Sequence, residues 1–176
     1  MKKILYLLLL GLVTILNFNI LLCAEELSAE KFKHGNYINT GSFKGGEIAD
    51  GLDVKYIRWA DRNNFERLVF DIYKWGGPTS PGGILPNEYP GTFKFEFVSE
   101  REIDVSFEGY RAFTAGIPKF EKSDLVSEIK ILLDEENASD SGFKIKIYFK
   151  QPVKIEVFQL YSPARIVVDM IIDGKE

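Results

Sequence analysis

The chain has 176 residues, of which 45% are hydrophobic and 14% aromatic, and a formal net charge of −4. With 22 Lys and Arg against 26 Asp and Glu, it lacks the basic face that nucleic acid requires, and its charge balance does not draw it onto an anionic lipid surface. One Cys and one His exclude an internal disulfide and leave a zinc site short of ligands.

Lys2 and Lys3 open the chain, and residues 4–16 are apolar apart from Gly11 and Thr14. A basic start followed by an apolar run is the layout of an export signal. Residues 1–24 are therefore expected to be a signal, residues 25–51 a flexible tether and residues 52–176 one domain. Two ends of the signal fit. Signal peptidase could cut after Ala24, or a lipoprotein signal could place a lipid on Cys23, although Leu21 and Leu22 stand where small residues are usual. An uncut membrane anchor is a third reading, since residues 4–22 are about long enough to span, but Asn17 and Asn19 interrupt them. The expected location is the periplasm or outer cell envelope, with membrane contact only through the signal or a lipid.

The tether reading rests on Gly35, Gly41, Gly45 and Gly46, with Asn36, Asn39 and Thr40 among them. It leaves room for one short strand near Tyr37 and Ile38. From Leu52 the period is two. Val54, Tyr56 and Arg58 alternate with Lys55, Ile57 and Trp59. After a turn at residues 61–64, Leu68, Phe70 and Ile72 share a face. Residues 75–91 hold four Pro and five Gly, which excludes a helix or a central strand. Phe93, Phe95 and Phe97 then alternate with Lys94 and Glu96. A turn at residues 99–101 leads to Ile103, Val105 and Phe107, completing a hairpin.

Residues 109–123 form a second connection. Strand patterns return with Ile129, Ile131 and Leu133, then with Phe143, Ile145, Ile147 and Phe149, then with Val153, Ile155 and Val157, and last over residues 165–172. The only helical option is residues 122–128 with Ser123 as a cap. About eight short strands, each apolar on one face and charged on the other, predict an all-β antiparallel sandwich. The many Phe belong to its core.

Arg67-Leu68-Val69-Phe70-Asp71-Ile72 returns 98 positions later as Arg165-Ile166-Val167-Val168-Asp169-Met170. With the turn Ser162-Pro163-Ala164 before it, the second copy resembles the closing strand motif of the AMIN and AMIN-like domains. These are all-β modules of exported bacterial cell-envelope proteins. Asn64-Phe65-Glu66-Arg67-Leu68-Val69-Phe70 is similar to the opening motif of the AMIN-like group, and Pro90-Gly91-Thr92-Phe93 resembles its Pro-Gly approach to the next strand. The likeness spans roughly residues 52–172. It departs in the long 75–89 loop and in the lack of an accompanying catalytic or pore-forming module within these residues. The resemblance implies envelope targeting, often through peptidoglycan.

Arg67 and Asp71 are four apart on a strand and share a face, as do Arg165 and Asp169. They are expected to form structural cross-strand ion pairs on the solvent side. His34 lies in the tether, away from any triad. Glu96, Glu100, Glu102 and Asp104 read as a solvated hairpin. The acidic run Asp134-Glu135-Glu136-Asn137, with Asp140 and Ser141, lacks the spacing of a calcium loop. Asn137-Ala138-Ser139 has the form of a glycosylation site. The long loop is the strongest binding candidate, because structureless loops of this length are uncommon and often functional. Trp75 and Tyr89 bound it, and Tyr73 and Trp59 are expected nearby. Such aromatics suit sugar or peptide recognition. The plainer alternative is that they plug one end of the sandwich.

The expectation is a non-catalytic binding or targeting module with no metal and no cofactor. Its ligand would be peptidoglycan or another envelope component. A scaffold that recruits an envelope protein through a strand edge is the alternative, and a carboxylate-based glycan hydrolase is the third.

Overall fold

The computed structural model describes residues 26–28, 33–77, 79, 85–132 and 142–174. The expected signal, with Cys23 and Ala24, and the acidic run 134–141 lie outside them. Among the described residues there are eleven strands and no helix. They are β1 (Glu26–Ser28), β2 (Ser42–Gly45), β3 (Leu52–Arg62), β4 (Phe65–Lys74), β5 (Phe93–Ser99), β6 (Glu102–Glu108), β7 (Tyr110–Phe113), β8 (Val126–Leu132), β9 (Gly142–Phe149), β10 (Val153–Leu160) and β11 (Arg165–Ile172). They form two sheets, one of six strands in the order β1-β2-β5-β6-β9-β8 and one of five in the order β10-β11-β4-β3-β7. All pairings are antiparallel except β1 with β2 and β3 with β7. This is the β-sandwich that the alternating pattern predicts.

The two inner faces meet over one core. Leu68, Phe70 and Ile72 of β4 meet Phe93 and Phe95 of β5 and Phe107 of β6, all essentially buried. Phe70 stacks edge-on to Phe95 with ring centroids 6.0 Å apart, and lies 5.8 Å from Phe107. Such tilted pairs suit the ring quadrupole and add to the burial of apolar area.

The segment expected as a tether is part of the sandwich, in β1 and again from residue 33 onward. β2 pairs along its whole length with β5, and Phe43 is 3% exposed in the core. Ile38 exchanges two backbone hydrogen bonds with Ile155 of β10, at 2.9 and 2.8 Å. Of the glycines that suggested slack, Gly45 lies within β2, and Gly35, Gly41 and Gly46 hold left-handed conformations. Gly46 holds φ +84°, and a side chain there would fall 1.9 Å from the Gly91 carbonyl oxygen. Only glycine fits such a position.

β3 departs from simple alternation. Its register against β4 slips between Val54 and Tyr56, so Lys55 is the extra residue of a bulge. Leu52 and Val54 face the core before it, and Ile57 and Trp59 after it, whereas Tyr56 and Arg58 turn outward. The suggested helix over residues 122–128 is a turn running into β8. Ser123 does cap that turn, accepting the Leu125 and Val126 amides at 3.2 and 2.6 Å.

Candidate functional site

β4 and β11 are antiparallel neighbours, and their register places the two copies of the repeat against each other. Val69 faces Val167 at the centre, Arg67 faces Asp169 on one side and Asp71 faces Arg165 on the other. The repeat is thus a local two-fold on the outer face of the five-stranded sheet. Period-two alternation puts Arg, the middle apolar residue and Asp on that face, and the other two apolar residues in the core.

The two ends of this platform are used differently. Arg67 grips Asp169 with two hydrogen bonds, at 2.6 and 2.9 Å. Asp169 is fully buried, and Lys33 adds a third donor at 2.7 Å. The pair is therefore a covered structural element and not the exposed ladder expected from alternation. Hydrogen bonding to Asp169 raises the Arg67 pKa further. Burial works to lower that of Lys33, but its contacts with Asp169 and Tyr37 outweigh this and raise it. At the other end, Asp71 pairs with Arg58 of β3 through two bonds of 2.6 Å, and among the described residues Arg165 reaches only the Pro163 carbonyl, at 3.4 Å.

The loop leaves β4 at Trp75, whose amide donates to the Gly51 carbonyl at 2.8 Å. Its return leg is locked in place. Lys74 donates to Leu85, Asn87 to Ile72, Ser162 to Glu88 and Ala164 to Asn87, at 2.8–3.0 Å. The leg therefore lies between the end of β4 and the turn before β11. An open groove of about 550 Å³ runs there, lined by Lys74, Leu85, Pro86, Asn87, Glu88, Ser162 and Pro163.

The four aromatics expected at the site do not converge. Tyr73 is on the outer face and meets Tyr56 edge-on at 5.8 Å. Trp75 and Tyr89 are half-buried at the loop's two roots. Trp59 is six residues from Asp53, the partner of Tyr73, which is about 20 Å along β3. It also faces the core, edge-on to Phe120 at 6.5 Å, and its indole N–H donates to Glu66 at 2.7 Å. It belongs to a structural hub, where Glu66 also accepts from the Ser123 hydroxyl and from the Asp124 and Leu125 amides.

Tyr56, Arg58 and Arg165 take Trp59's place beside Tyr73. Tyr56 is 51% exposed, opposite Asp71, and Leu85 beyond it is 63% exposed. The bulge turns Tyr56 outward, and the slip in apolar spacing between Val54 and Ile57 was its only sequence signal. Among the described residues no group of three or more His, Cys, Asp and Glu converges to hold a metal. Comparison with protein-family models, with curated proteins and with solved structures returns no match.

Proposed function

We propose that this chain is a non-catalytic binding module of the bacterial cell envelope, exported and AMIN-like, and that it recognises peptidoglycan at the Tyr56 end of the platform. The observation that carries the reading is the Tyr56–Tyr73 pair on the outer face, which the strand register shares with Arg58, held by Asp71, and with Arg165. Tyrosine faces stack on sugar rings, and guanidinium groups bind carboxylates, which peptidoglycan stem peptides carry. Lys74 at the groove adds positive charge, opposed there by Glu88, on a chain that is acidic as a whole. The motif resemblance supplies the ligand class.

Cosedimentation with purified sacculi tests this. The wild-type chain should pellet with sacculi, and Tyr56→Ala with Arg165→Ala should weaken binding by about thirtyfold, as loss of two contacts of roughly 1 kcal/mol implies. Wild-type pelleting no greater than that of an unrelated sandwich domain would remove the proposal.

A further inference from the structure

The exchange that carries Arg67 onto Arg165 carries Asp169 onto Asp71 and Glu156 onto Tyr56. The Tyr56 end is open, whereas the Glu156 end is covered by residues 33–37. Glu156 and Asp169 stand directly opposite each other on β10 and β11, at 3% and 0% exposure. Two buried carboxylates side by side need donors. The His34, Gly35 and Asn36 amides all point at Glu156 Oε1, at 2.6, 2.8 and 3.2 Å. Gly35 holds φ +82°, and this left-handed turn lets successive amides converge on one anion. Lys33 spans Asp169 and the Tyr37 hydroxyl, and lies 4.3 Å from the Phe65 ring centre.

This cover is thin. Residues 33–36 are all exposed on their outer side, and they lie between two attached stretches, β1 with its pairing to β2 and Ile38 with its two bonds to Ile155. A segment held mainly by polar contacts, with no buried apolar anchor, belongs to the least stable parts of a fold. Glu156 Oε2 is buried and has no hydrogen-bond partner among the described residues. The cover therefore leaves the site incompletely satisfied.

We propose that residues 33–36 are a releasable strap, and that the Glu156–Asp169 site beneath it binds, in trans, an extended peptide segment of a partner protein with a lysine two positions before a glycine. Such a segment brings the same ammonium and the same three amides. Any further donor that reaches Glu156 Oε2 makes it a better occupant than the strap. Lifting the strap opens both carboxylates to water and removes four of their donors, so the site favours an occupant that restores them. This inference is independent of the peptidoglycan reading.

The test uses the full exported chain and a fluorescent heptapeptide with the sequence of residues 33–39. The variant Lys33→Ala/Gly35→Ala loosens the strap. Alanine at residue 35 meets no atom within 4 Å and strains only the backbone. In nitrogen-15 spectra the His34, Gly35 and Asn36 amides should lose their fixed shifts, and the variant should bind the peptide at least about tenfold more tightly than wild type does, because competition by the strap is gone. Adding Glu156→Gln, or exchanging Lys and Gly within the peptide, should remove that gain. If the glutamine variant does not fold, the exchanged peptide carries this arm alone. Amides that stay fixed in the loosened variant, or freed amides without a gain in peptide binding, would overturn the proposal.

Discussion

Tyr110 shows most sharply how position alters the chemistry of a single side chain. It is 1% exposed at the start of β7, its ring 5.2 Å from that of Phe107. Its hydroxyl lies beside the Gly91 backbone but makes no hydrogen bond of good geometry. Burial drives its pKa far above the ordinary tyrosine value, against a lowering influence of the nearby Gly91 backbone. The folded state thus holds the phenol proton while the unfolded chain releases it near about pH 10. The contribution of Tyr110 is fully present below that pH and falls as the pH rises beyond it. Lys146, raised first by Asp104 and then by Glu102, changes in the same direction. Asp173 is lowered by Asn39 and then Lys154, so its contribution is lost only in acid, below the ordinary carboxylate value of about 3.9. Stability should therefore be flat around neutrality and decline from about pH 10. Tyr110→Phe removes an unsatisfied buried hydroxyl. In urea titrations it should leave stability unchanged or raise it by about 1 kcal/mol at pH 7, and it should move the onset of alkaline unfolding upward. A loss of more than about 2 kcal/mol would mean that the hydroxyl has a partner.

At the scale of strands, the decisive element is β2. Gly-rich composition reads as slack, yet four residues of the chain extend one sheet and bury Phe43. Phe43→Ala should lower unfolding free energy by about 3–5 kcal/mol in urea titrations; a near-neutral result would restore the tether. The strands with an apolar residue at every second position, β4, β5, β6, β8, β9, β10 and β11, were legible in the sequence, because one face of each must be dry. β3 was legible as a strand, but its faces were not, because one bulged residue at Lys55 reverses everything after it. β2 and β7 are too short to show a period, and both depend on non-local partners. β7 lies parallel to β3, where the buried Asp53 accepts the Thr114 amide at 3.0 Å and its hydroxyl at 2.6 Å. The same limit separates the candidate site residues. Tyr73 and Arg165 could be placed from alternation, whereas Tyr56 needed the bulge, and Trp59 was drawn in only because its parity was read without it.

For the whole molecule, the repeat explains how one short sequence pattern serves two ends of a platform. Arg and Asp face each other twice across the β4–β11 pair, but the neighbours on β10 and β3 differ. Glu156 gives one end an acidic interior covered by the chain's own residues 33–37, and Tyr56 gives the other an open aromatic surface near the groove. The sandwich behind them is a rigid support, its two sheets joined through Phe70 and the rings around it. The central claim is that the open end receives the cell-wall ligand. Titration of the nitrogen-15-labelled chain with soluble peptidoglycan fragments tests it most directly. The account predicts that the largest shift changes cluster at Tyr56, Arg58, Tyr73, Leu85 and Arg165, while Trp59 and the outer face of β5, β6 and β9 stay still. Changes centred on that opposite sheet, or none at saturating fragment, would contradict it.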